Sequence, residues 1–210
     1  MTLTSSLIRR HVYNLEEDTL FSIRSLLSYG PRSAVDRAVG RLVARGVLER
    51  IAWGIYIKPS GQFVHFTNAE IANAKARAFA KHTFTHGKTI AVELGLMSPD
   101  PSQPISNDNS REKANRLAVV GSTSSFWSVN GRIRLHSTTP KTVALAEHPI
   151  GLIIRALIAL GPKRCTFQVI HEVKQSLTRL ELAMLVGASR WMPAWLSDKA
   201  CHNYYGPSRR

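Results

Sequence analysis

The chain has 210 residues and a hydrophobic content of 44%, enough for one large domain or two small ones with packed cores, which excludes wholesale disorder. It carries 28 Lys+Arg against 14 Asp+Glu, a formal net charge of +14. That imbalance points to polyanionic partners, nucleic acid first, ahead of anionic membrane surfaces and acidic proteins.

Two cysteines, Cys165 and Cys201, make no disulfide scaffold, and the sequence holds no Cys-x-x-Cys metal pair. The opening residues "MTLTSSLIRR" lack the order of charge, apolar run and small-residue cleavage site that marks a signal peptide. The most apolar stretch, Ile150 to Leu160, is about half a membrane span and carries Arg155, so it predicts a buried helix. The expectation is a reduced, soluble protein of the bacterial cytoplasm, associated with the nucleoid and not with a membrane.

Leu3, Leu7, Ile8, Val12 and Leu15 form a helical apolar stripe that Glu16-Glu17-Asp18 interrupts. Ser22 has the chemistry of an N-cap for "SIRSLLSYG", with Phe21 placed to staple against Leu26, and Gly30-Pro31 forces a turn. Ser33 and Asp36 have capping-box spacing at the head of the next helix, whose buried face is Val35, Ala38, Val39, Leu42 and Val43. Gly46 closes that helix, and "VLERIAWGIYIKP" follows as two β-prone runs joined at Ala52-Trp53-Gly54.

From Gly61 to Thr67 the chain is expected to be irregular or extended. An alanine-rich helix is expected over "NAEIANAKARAFAKHTF" and a shorter one over "GKTIAVELGLMSP", ending at Gly95. Residues 98 to 113 carry the strongest loop signal. Asn130-Gly131 between β-prone runs in "SFWSVNGRIRLHS" predicts a hairpin. From Pro140 the pattern is helical. Net charge is spread as about +4, +5 and +5 over 1–58, 59–145 and 146–210, so charge alone does not locate a binding face.

The order helix, short helix, Gly turn, amphipathic helix, hairpin is that of a winged helix-turn-helix, in which one helix enters the major groove and the preceding helix braces it. With Val35, Val39 and Leu42 inward, Ala34, Arg37, Arg41 and Arg45 line the outer face. Eight of the nine basic residues before Pro59 are arginines, whose guanidinium fork grips a guanine edge or a phosphate in two places. Residues near the helix start reach bases, so Arg32, Ser33 and Arg37 are the expected base or near-base contacts, with Arg41 and Arg45 on phosphates. Arg50, Trp53 and Lys58 would touch backbone or minor groove from the hairpin; Trp53 has a second reading, as a cap on the small core.

The stretch "LFSIRSLLSYGPRSAVDRAVGRLVARGVLERIAWGIYIKP" resembles the N-terminal domain of the AbiEi-type antitoxins, the antitoxin half of abortive-infection type IV toxin–antitoxin pairs. The match rests on the turn-Ser-x-x-x-Asp helix, Arg45-Gly46, Gly54-Ile55-Tyr56 and Pro59. It continues in "GKTIAVELGLMSPDPSQPI" and "RWMPAWL". The turn "GSTSSFW", without a basic residue, and the loop "SNDNSREK" depart from the pattern.

Two copies on an inverted repeat in a promoter are the expected mode of binding, and the resemblance implies a winged helix-turn-helix that represses its own operon. It also implies a second domain acting against a nucleotidyltransferase-like toxin encoded alongside. The expected architecture is α+β, with a winged helix-turn-helix over 1–60. A mixed domain with a central hairpin and C-terminal helices would fill 61–210.

Enzyme readings lack their parts. Gly121-Ser122 is similar to the Gly-Ser of nucleotidyltransferases, but no Asp-x-Asp or Glu-x-Glu exists to hold magnesium. His82 and His86, four apart, have no third ligand in sequence, and there is no Gly-x-Ser-x-Gly elbow. No catalytic residue, metal or cofactor is therefore expected. The alternatives are a basic RNA-binding protein that shows Phe126, Trp127 or Tyr204-Tyr205 on an open sheet and, after it, a nucleic-acid-processing enzyme.

Overall fold

The computed structural model describes residues 3–98, 116–146 and 148–202. The loop expected over 98–113 lies almost wholly outside the described residues, and Tyr204-Tyr205 lies outside them too. The architecture is mixed α+β. Among the described residues, no helix is long and apolar enough to cross a membrane.

Helix α1, Leu3–Tyr13, buries Ile8 and Val12. A two-residue strand, β1 (Phe21–Ser22), leads into a 3-10 helix over Ile23–Tyr29, with the Ser22 side chain accepting from the Arg24 N–H as the N-cap chemistry requires. Helix α2, Arg32–Ala44, buries Val35, Ala38, Val39 and Leu42. Its expected capping box does not form: the N-cap is Pro31, and Asp36 instead accepts from Arg32. Proline at this position fixes the backbone bend while donating nothing, and helix growth one residue early puts Arg32 four from Asp36. Gly46, at φ +70, turns the chain into the hairpin of β2 (Glu49–Ala52) and β3 (Ile55–Ile57).

The alanine-rich helix is shorter than its pattern predicts. Helix α3, Asn68–Arg77, starts with a capping box between Thr67 and Glu70, but the chain leaves the helix after Arg77 and Ala80 sits at φ +53. Thr83–Thr85 is strand β4, because the β-branched and aromatic Thr-Phe-Thr finds a partner in β5, Arg116–Val120. His82 and His86 are therefore not on one helix: they flank β4, and His86 is the N-cap of α4, Gly87–Glu93. Strands β6 (Ser124–Ser128) and β7 (Gly131–Thr138) form the hairpin that Asn130-Gly131 predicts, and β7 runs parallel to β5.

One seven-stranded sheet, in the order β1-β3-β2-β6-β7-β5-β4, runs through both halves of the chain. The joint is the pairing of Ala52 with Ser128. Helix α3 packs on one face, where Ile71 and Ala72 meet Ile51, Ile55, Ile57, Leu117, Val119, Ile133 and Leu135. On the opposite face α1, the 3-10 helix and α2 cover the β1-β3-β2 end, with Tyr56 in their core.

The C-terminal helices are α5 (Pro140–Ala144), α6 (Gly151–Arg164), α7 (Phe167–Gln175), α8 (Arg179–Gly187) and α9 (Ala194–Cys201). They build a core of their own from Leu145, Ile154, Leu157, Ile170, Leu185 and Leu196. The apolar run expected as a buried helix is α6, broken at Gly161-Pro162. Helix α4 lies against α6, with Gly87 so close to the Arg155 carbonyl that an added Cβ would come within 2.6 Å of it.

Candidate nucleic-acid interface

Helix α2 presents two chemically distinct sides. Its inward side is almost fully buried, and Arg32, Ser33, Asp36, Arg37, Gly40 and Arg41 are all exposed along the other, with Arg45 exposed at the C-cap. The local reason is the 3.6-residue period: once Val35, Val39 and Leu42 face the core, positions 37 and 41 must face outward.

The arginines are held differently. Arg32 Nε lies 2.9 Å from Asp36 Oδ1 and 3.0 Å from Oδ2, an exposed i,i+4 pair of about 0.3–0.5 kcal/mol. Asp36 thus lies on the same outward face as the arginines and neutralises part of it. Arg37 Nε donates to the Ser33 carbonyl at 3.1 Å, which leaves its terminal nitrogens free of intramolecular hydrogen bonds among the described residues. Arg41 reaches across to Ser5 Oγ of α1 at 3.4 Å. That bond brings α1 alongside, and Arg9, one turn after Ser5 and exposed, extends the basic face. Arg9 is missed by a reading confined to α2; its signal is the i,i+4 spacing from Ser5.

The hairpin is a strut with an exposed tip. Gly54, at φ +80, makes the turn, its carbonyl accepts from Ile23 N–H, and the Trp53 carbonyl accepts from Lys75 Nζ at 2.8 Å. Burial pulls the Lys75 ammonium below the usual lysine range. The Trp53 ring is 72% exposed, so it does not cap a core. Arg50 lies over both Trp53 and Tyr56, at 5.3 and 5.7 Å from the ring centroids. Lys58 turns back into the fold: its ammonium bonds the carbonyls of Tyr13 and Leu15 and lies 3.3 Å from Glu17, where it serves the C-terminal end of α1.

A second basic surface is formed by the sheet. Register sets Trp127 opposite Arg132 and Ser125 opposite Arg134, all exposed, while Phe126 and Ile133 face α3. Arg132 donates to Ser125 Oγ at 2.9 Å. This strip shares the sheet face that the N-terminal helices cover at one end. Arg132 and Arg134 lie outside the set of residues expected from sequence to bind. Their alternation with Ile133 and Leu135 in "RIRL" marks an outward face, but only the pairing with Trp127 makes it a surface.

Among the described residues no three of His, Cys, Asp and Glu cluster as a metal site. Cys165 is buried and Cys201 partly so, both as free thiols.

A family model described as a family of unknown function (DUF6088) matches residues 7–185, and the chain belongs to that family. No curated protein and no solved structure matches the chain.

Proposed function

Membership of that family brings no activity with it, and from the geometry we propose that the chain is a sequence-specific DNA-binding transcriptional repressor. In this reading α1, the 3-10 helix, α2 and the β2–β3 hairpin form a winged helix-turn-helix. The observation that carries it is the uncovered arginine face of α2. An α-helix of about 10–12 Å diameter matches a major groove about 12 Å wide. The apolar face anchors α2 on its core while Arg37 and Ser33 meet base edges and Arg41, Arg45 and Arg9 meet phosphates.

Arg32 enters with its partner Asp36, so the pair presents a donor and an acceptor; the carboxylate suits a cytosine amino group and repels a phosphate. Arg50 and Trp53 would touch the backbone beside the groove, and Lys58 stays with α1. Two copies on an inverted repeat, with half-sites roughly 34 Å apart or a multiple of that, would occlude a promoter.

The resemblance to the AbiEi-type antitoxins supports autoregulation, with the remainder of the chain acting against a nucleotidyltransferase-like toxin encoded alongside. No catalytic role is assigned. One observation favours a second reading: the Trp127 ring is 71% exposed beside Arg132 and Arg134, the composition of a stacking platform for single-stranded RNA.

A competition experiment separates the two readings. Selected operator duplex and single-stranded RNA of equal length are offered to the wild type, to Arg37→Ala and to Trp127→Ala. Repression through α2 predicts that Arg37→Ala weakens duplex binding by roughly 1–3 kcal/mol and relaxes specificity, while Trp127→Ala leaves it unchanged. Preference for RNA, abolished in Trp127→Ala, would replace the duplex reading.

A further inference from the structure

Toward the end of the sheet remote from α2, the N-terminal end of α4, the C-terminal end of β7, β5, α5 and α6 line a solvent-open cavity of about 340 Å³. Its walls are His86, Lys88, Thr138, Thr139, Thr142 and Arg155, closed by the apolar Ala118, Ile158 and Ala159. We propose that this cavity is a binding site for the phosphoryl group of a small phosphorylated ligand, with Arg155, Lys88 and the threonine hydroxyls as its receptors.

The first argument is charge. Arg155 is only 6% exposed, and among the described residues no carboxylate pairs with it. Among those residues its one hydrogen bond is to the Thr85 carbonyl, and it lies 5.9 Å from the Phe84 ring centroid. A guanidinium with a single neutral acceptor keeps several donors unspent, and among the described residues none of its nitrogens is a buried atom left without a partner, so these donors open onto the cavity, where an anion can take them. No carboxylate is among the described residues that line the cavity, while Lys88 adds a second cation at its exposed rim.

The second argument is the histidine pair. The rings of His86 and His136 are 4.5 Å apart, and His136 Nε2 is buried without a hydrogen-bond partner among the described residues. His86 Nδ1 accepts from the Lys88 N–H at 3.3 Å, so the neutral ring carries its proton on Nε2 and is a donor. Burial and the positive neighbours His136, Lys88, Arg116 and Arg155 lower its pKa to about 4. Near neutral pH both imidazoles are uncharged, and the positive charge at the cavity is that of Lys88 and Arg155, which line it.

The third argument is hydroxyl supply. Thr139 and Thr142 are linked at 2.9 Å, and Thr139 Oγ also accepts from the Thr142 N–H, so one of the two hydroxyls spends its proton on the link and the other keeps its own for an acceptor. The volume exceeds that of a phosphate alone, which leaves room along Ile158 and Ala159 for a small organic moiety.

This inference is independent of duplex binding by α2. Full-length protein is titrated with inorganic phosphate at constant ionic strength while the His86 ring is followed by NMR. A parallel titration uses a nucleoside 5′-monophosphate. Saturable binding with a rise in the His86 pKa is expected, and it should weaken at least about fivefold in Lys88→Ala, whose side chain is exposed and whose removal leaves the core intact.

Tighter binding of the monophosphate than of phosphate supports an ester as the ligand; equal affinity supports free phosphate. The Arg37→Ala variant should bind phosphate as the wild type does. A His86 titration unmoved by either probe, or phosphate binding unchanged in Lys88→Ala and abolished in Arg37→Ala, would overturn the assignment.

Discussion

Acid stability offers a sharp test of how the α4–sheet–α6 junction is built. His86 titrates near 4 in the folded chain against an ordinary value of 6.5, because burial and then His136, Lys88, Arg116 and Arg155 oppose its proton. His136 is displaced in the same direction, by burial and by Arg116, Arg134 and Lys88. The sign follows from linkage. Below pH 6.5 the unfolded chain binds a proton that the folded chain refuses until pH 4, so stability falls as the pH drops through that window and levels off below it.

For His86 alone the full shift corresponds to a little under 2 kcal/mol given up between about pH 7 and about pH 5. Solvent screening at this partly exposed ring reduces that to about 1 kcal/mol. The perturbation is His86→Asn, which keeps the N-cap acceptor for the Lys88 N–H and removes the titration. Urea unfolding at about pH 7 and about pH 5 should show the variant losing about 1 kcal/mol less than the wild type. Equal losses in the two proteins would mean that the His86 ring is solvated and the junction is not packed as described.

Other consequences concern the sheet and its hairpin. Ile133 is fully buried where α3 meets the sheet, so Ile133→Ala should lower the unfolding free energy by about 2–5 kcal/mol in the same urea experiment, and a cost under about 1 kcal/mol would deny that packing. Gly54→Ala places a Cβ at φ +80 with only an ordinary 3.6 Å approach to Ile23, so its cost in that assay should be the backbone strain of about 1–2 kcal/mol. Because the Trp53 ring is 72% exposed, Trp53→Ala should leave stability within about 1 kcal/mol of wild type; a larger drop by thermal melting would return that ring to a core role.

What the sequence discloses and what it hides divide along contact range. The inward and outward sides of α2 are legible because helical period and burial are local, and the Asn130-Gly131 hairpin is legible because its turn residues are adjacent. The end of α3 is not: helix formers run on past Arg77, and only pairing with β5 explains why Thr83–Thr85 is a strand. Pairing of Ala52 with Ser128 joins residues 76 positions apart, and so the continuity of the sheet has no local signal. The same holds for His86 beside His136 and for Arg155 reaching Thr85, since nothing in "IGLIIRALIALG" announces that its arginine points into a cavity. Lys58 shows the converse error of charge counting, a cation that is basic in sequence and spent on the end of α1 in the fold.

The arginine face of α2 is tested most directly by the salt dependence of duplex binding. Removing one arginine from a phosphate should flatten the slope of log affinity against log salt by about 0.9, so an Arg41→Ala, Arg45→Ala double variant should fall short of the wild-type slope by nearly 2 units. Arg179→Ala, on α8, should keep the wild-type slope. Equal slopes for the wild type and the double variant, or a slope change confined to Arg179→Ala, would remove α2 from the interface and with it the proposed repressor.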